Sequence, residues 1–140
     1  MSLILTDVGA QVLLAKAFNT TKDLTLRLFT NDITPTDAFV QSDFTEAAGG
    51  GYTAIPLSSD AIVSVVGTAP NAIAQAAYTQ VSFNFTGALT TNGSVYGYYV
   101  TNTAGQVIFA ERATAPYIPA NNGDALLLTP IFKLSSGTPS

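Results

Sequence analysis

The chain has 140 residues, no cysteine, no histidine and few charges, nine acidic against five basic, for a net charge of −4. Without imidazole or thiol it has no histidine general base, no histidine-ligated metal, no disulfide and no thiolate zinc site. Its scattered cations, Lys16, Lys22, Arg27, Arg112 and Lys133, cannot line a phosphate track, no apolar run reaches the roughly 20 residues of a membrane span, and the N-terminus does not read as a signal peptide.

Size scaling gives roughly 6,900 Å² of folded surface against roughly 21,000 Å² unfolded, which suits one core and a single domain over 1–140. Charged residues make up 10% of the chain, where soluble domains average about 25%. The surface must therefore be built largely from Thr, Ser, Asn, Ala and Gly. Such a surface suits association, because interface cores shed charge.

The first expected element is a helix over about Asp7 to Phe18, with Thr6 or Asp7 as N-cap and Asn19 as the stop. At 100° per residue, Val8, Val12, Leu13, Leu14 and Phe18 spread around much of its circumference. Two readings follow: a helix clamped between sheet and loops, or one with a side on the core and a side on another subunit.

From residue 23 the apolar period becomes two. DLTLRLFTN (23–31) alternates Leu24, Leu26 and Leu28 against Thr25, Arg27 and Phe29, a half-buried strand. Tyr52 to Leu57 and Ala61 to Val66 read as short strands, and the Ala-rich TAPNAIAQAAYTQ (68–80) as a loop or short helix. TQVSFNFTG puts Val81, Phe83 and Phe85 on one strand face. SVYGYYVTN and QVIFAER form a hairpin around Thr103, Ala104 and Gly105. A last strand covers roughly Ala125 to Leu134, after an NNGD turn. Six or seven short strands between Gly, Pro and Asn clusters predict a mainly β fold: an antiparallel β-sandwich or jelly-roll-like domain over about 23–134, one N-terminal α-helix and a short tail at 135–140.

The triplet Gly49, Gly50 and Gly51 invites a nucleotide reading. A phosphate loop needs a Lys and a Ser or Thr opening a helix, whereas GGGYTAIPL runs into a β-like segment containing Pro56. The glycines are therefore expected to make a structural bend. Asp32 with Asp37, or Asp43 with Glu46, would be the carboxylate pairs of a hydrolase or calcium site, but neither has a known metal-loop spacing, and acids in turns usually cap backbone amides. Tyr96, Tyr98 and Tyr99 would be a sugar-stacking platform, or packed rings with hydroxyls at the sheet edge. Glu111 and Arg112 are adjacent and point to opposite strand faces.

In order, DLTLRLFTNDITPTD, DFTEAAGGGYTAIPL, FNFTG, VYGYYVTNTAGQVIFAER and the NNGD turn resemble a family of small virion structural proteins of tailed bacteriophages, closest to the cement or decoration proteins on the outside of HK97-like capsids. The likeness covers nearly the whole chain. It implies a jelly-roll-like β-sandwich, no catalytic residues and no cofactor, a place on the capsid exterior after synthesis in the bacterial host cytoplasm, and the major capsid protein as partner. The expected function is stabilisation of the shell by bridging major capsid protein subunits, with the chain itself a dimer or trimer; neither nucleic acid, membrane nor enzymatic turnover is expected. Leu13, Phe18, Arg27 and Arg112 are the candidate assembly contacts. A tail or fibre module that binds host carbohydrate is the alternative.

Overall fold

The computed structural model describes residues 4–19, 22–68 and 72–135, so the expected tail lies, but for its first residue, outside the described residues. In chain order the elements are α1 (Asp7–Asn19), β1 (Thr25–Phe29), a 3₁₀ turn (Gln41–Asp43), β2 (Ile55–Pro56), β3 (Ile62–Val66), β4 (Ile73–Ala77), β5 (Val81–Asn84), β6 (Val95–Thr101), β7 (Val107–Tyr117), β8 (Ala125–Leu128) and β9 (Ile131–Ser135). Every pairing of these strands is antiparallel. The chain is thus mainly β with one N-terminal helix, as its periodicity predicts, and its pairings are consistent with a β-sandwich.

By contacts the chain forms two compact units woven from alternating segments: the first from 1–22, 58–80 and 129–140, the second from 23–57 and 81–128.

In the first unit, α1 packs on a sheet of order β3-β4-β9. Thr6 caps the helix: its carbonyl accepts from Ala10 N–H and its hydroxyl from Gly9 N–H. Ala10, Leu14 and Phe18 recur every four residues and are buried. Phe18 stacks on Phe132 of β9 at 4.3 Å and meets Tyr78 edge-on, whose hydroxyl donates to the Phe18 carbonyl. Asn19 closes the helix by clamping Ala61, donating to its carbonyl and accepting from its N–H.

Two expectations need correction in this unit. The Ala-rich segment is neither loop nor helix where it is described: residues 73–77 are β4, the central strand. Alanine favours helices locally, but Ala74 and Ala76 are buried, and their small side chains admit α1 close to the sheet. The last expected strand is two strands, β8 pairing β5 in the second unit and β9 pairing β4 in the first. Pro130, which has no N–H to give a ladder, lies between them, and its carbonyl accepts from Tyr78 N–H.

The second unit holds a sheet of order β2-β1-β6-β7 and the β5-β8 pair. Direct cross-strand partners share a face, so Leu26 and Leu28 lie with Val100 and Tyr98, while Arg27 and Phe29 lie with Tyr99 and Gly97. Phe29 was expected among the polar positions of its strand, yet it is fully buried, because β1 is an interior strand and its second face carries the cluster Phe29, Phe44 and Tyr99. A side chain at Gly97 would collide with the Phe29 ring and the Glu111 carbonyl. The β6–β7 hairpin turns through Asn102 to Gln106 as expected, with Gly105 at φ +79°.

Candidate functional site

Each unit has its own surface chemistry. On the first, the outer side of α1 exposes Val8, Val12 and Leu13, with Lys16 beside them. Cross-strand register places Ile62, Ala77 and Ile131 in one row of the sheet, Ser64, Gln75 and Lys133 in the next, and Val66 with Ile73 in a third. Of these, Ile62, Val66 and Ile131 are exposed. Nearby, Lys22 pairs with Asp60 at 2.9 Å between exposed side chains, a contact of small weight. The first unit therefore presents aliphatic side chains on two exposed stretches with few charges among them.

The second unit ties its polar groups to one another. Arg27 meets both oxygens of Glu46 at 2.9 Å and donates to the Thr101 hydroxyl. Tyr52 donates to Glu46 at 3.0 Å and accepts from Leu28 N–H, and the Tyr99 hydroxyl reaches the same carboxylate. Burial, reinforced by the Glu46 charge, pushes the Tyr99 hydroxyl up to about 12 and the Tyr52 hydroxyl higher still. Both stay neutral and act as donors at physiological pH. Arg112 meets Asp32 at 2.6 Å and the Ile33 carbonyl at 2.7 Å, over the Tyr96 ring. Tyr98 donates to Glu111, its direct cross-strand neighbour, and burial raises its hydroxyl too.

The four candidate assembly contacts thus separate. Leu13 is 54% exposed, on the outer side of α1. Phe18 is 6% exposed and committed to the aromatic stack with Phe132 and Tyr78, so it belongs to the core. Arg27 and Arg112 are half-buried and their guanidinium groups are already engaged.

The triplet is a bend. Gly49, Gly50 and Gly51 have φ of +79°, +57° and +76°, a region open to glycine at little cost. They lie against residues 86–91: Thr86 N–H donates to the Gly50 carbonyl, Thr90 N–H to the Ala48 carbonyl, and Ala48 N–H to the Thr91 hydroxyl. A Cβ at Gly49 would fall 2.6 Å from the Thr90 methyl, and one at Gly50 would strike the Gly87 carbonyl. All three positions combine a positive φ with a close neighbour: Thr90 at Gly49, backbone carbonyls at Gly50 and the Thr86 side chain at Gly51.

The carboxylates considered as chemical pairs are apart in function. Asp32 serves Arg112, Asp43 accepts from Val40 N–H, Glu46 serves Arg27, and Asp37 lines a cleft. Among the described residues no group of three or more Asp or Glu is placed to hold a metal ion. Tyr98 and Tyr99 are buried, Tyr99 stacked on Phe44 at 4.5 Å, so the three tyrosines present no joint platform. The cleft, about 350 Å³, is floored by Phe39 and Phe44 and walled by Pro35, Thr36 and the start of β7. Periodicity gave no sign of it, because its two sides lie some 70 residues apart in the chain. No family model, curated protein or solved structure matches the chain.

Proposed function

We propose that this chain is a structural virion protein of a tailed bacteriophage, which binds the outside of the capsid and stabilises the shell by bridging major capsid protein subunits. The reading rests on the resemblance of its ordered motifs to phage cement proteins. The structural observation that supports it is the exposed aliphatic surface of the first unit, Val8, Val12 and Leu13 on the helix and Ile62, Val66 and Ile131 on the sheet. Apolar surface of this kind, set among few charges, favours lasting contact with a protein partner.

Magnitudes favour many weak contacts over one strong one. Six half-exposed aliphatic side chains contribute on the order of 1 kcal/mol each when covered, which meets only the lower part of an association cost of about 4–15 kcal/mol. An oligomer that grips several shell subunits at once overcomes this, since later contacts form at high effective concentration. Binding the mature lattice better than free subunits stabilises that lattice by mass action.

Cryo-electron microscopy of the particle that carries this chain tests the reading. Density for the chain over junctions between major capsid subunits is the expected result. Density confined to the tail would overturn it.

A further inference from the structure

The cleft of the second unit combines an aromatic floor with a single carboxylate, Asp37. Its volume of about 350 Å³ falls at the lower end of the range for ligand pockets, about 300–1,000 Å³. Its floor is aromatic: Phe39 and Phe44 meet edge-to-face at 5.7 Å, and Phe44 is itself stacked on Tyr99, so the floor is fixed before anything binds. Ile108 of β7 stands exposed on the wall. Among the lining residues the only charged group is Asp37. The nearby charges are already engaged, Asp32 by Arg112, Arg112 also by the Ile33 carbonyl, and Asp43 by Val40 N–H. Among the described residues Asp37 has no ion pair.

We propose that this cleft receives, from an extended segment of the partner protein, an aliphatic or aromatic side chain with a lysine or arginine beside it. The apolar side chain covers Phe39, Phe44 and Ile108, and the neighbouring cation meets the Asp37 carboxylate. Charge complementarity favours this occupant: Asp37 is exposed and has no ion pair among the described residues, so it attracts a cation beside the apolar side chain and repels an acidic segment. The inference deepens the capsid reading by assigning a basic, apolar segment of the shell protein to this cleft.

The test is a nuclear magnetic resonance titration of the ¹⁵N-labelled full chain with the capped peptide acetyl-Thr-Lys-Leu-Thr-amide. Saturable shifts at the Phe39, Ile108 and Ala110 amides are expected. Binding should weaken roughly threefold for Asp37→Asn, and at least as much for the peptide with Glu in place of Lys, in keeping with an exposed ion pair of under about 1 kcal/mol. No saturable shift at these amides, or equal affinity for the acidic peptide, overturns the inference. Pelleting wild-type protein with capsids separates the two failures. Retention on capsids without peptide binding sinks the cleft alone, whereas no retention sinks the capsid reading itself.

Discussion

The two units stabilise themselves by different means. In the second, Glu46 alone gathers Arg27, Tyr52 and Tyr99, Arg112 is held by Asp32, Ile33 and Tyr96, and the rings of Phe29, Phe44 and Tyr99 pack beneath them. In the first, one helix lies on three strands, the interior centres on Phe18, Tyr78 and Phe132, and aliphatic side chains remain exposed on helix and sheet alike. The second unit ties its polar groups to one another and leaves Val40, Ile108, Ile118 and Leu127 exposed, whereas the first exposes Val8, Val12, Leu13, Ile62, Val66 and Ile131 on a thin helix-on-sheet layer. On the proposed capsid reading, partner contact falls chiefly to the first unit, with the Asp37 cleft as the second unit's contribution.

The largest effect should come from the small core of the first unit. Phe18→Ala removes the ring stacked on Phe132 and leaves a cavity, so unfolding free energy should fall by about 3–5 kcal/mol in chemical denaturation. A loss below about 1 kcal/mol would show that Phe18 is not a core residue and would blur the distinction from Leu13.

Next comes the glycine bend of the second unit. Gly50→Ala should cost roughly 2–3 kcal/mol, because its Cβ meets the backbone carbonyl of Gly87. Gly51→Ala should cost only about 1 kcal/mol, because it meets the Thr86 side chain, which can turn away. Equal costs would mean that the positive torsion, not the neighbour, decides.

High pH probes the tyrosine networks. A hydroxyl whose folded pKa is raised binds its proton more tightly in the folded state, so its contribution is complete below the ordinary value near 10 and is lost as pH rises above it. For Tyr99, raised to about 12, the loss is on the order of 2 kcal/mol by pH 12. Tyr52, Tyr98 and Tyr78 are raised in the same direction, three of the four belonging to the second unit. Absorbance at 295 nm should therefore rise together with unfolding above pH 10. Smooth titration of all six tyrosines near pH 10 in a folded chain would contradict these networks.

Much of this was legible in the sequence where local pattern decides. The alternation of Leu24, Leu26 and Leu28, the aromatic spacing of Phe83 and Phe85, the Asn102 to Gln106 hairpin turn and the capped helix all follow from period and turn chemistry. What escaped depends on contacts distant in the chain. Ala74 and Ala76 look helical by propensity and become a central strand because a helix must lie close above them. Phe18 and Leu13 look equivalent on a helical wheel, and only the position of Phe132 tells core from surface. Glu46 looked like half of a carboxylate pair until β1 brought Arg27 to it. The cleft joins residues 35–44 to 107–110, and no local pattern could announce it.

The most direct test of the division of labour is retention of the chain on capsids pelleted after washing, for wild type and Leu13→Asp. Leu13 is on the exposed side of α1, so the folded chain should lose only about 1 kcal/mol of stability from aspartate's lower helix propensity and the lost half-covered leucine, while a buried, unpaired carboxylate at the contact should release the protein. Wild type should stay on the particle from about 0.1 to 1 M salt, where the screening length falls from about 10 to 3 Å, because the contacts proposed for it are apolar. Release of wild type by salt alone, or full retention of a folded Leu13→Asp variant, would contradict the assignment of partner contact to the first unit's helix.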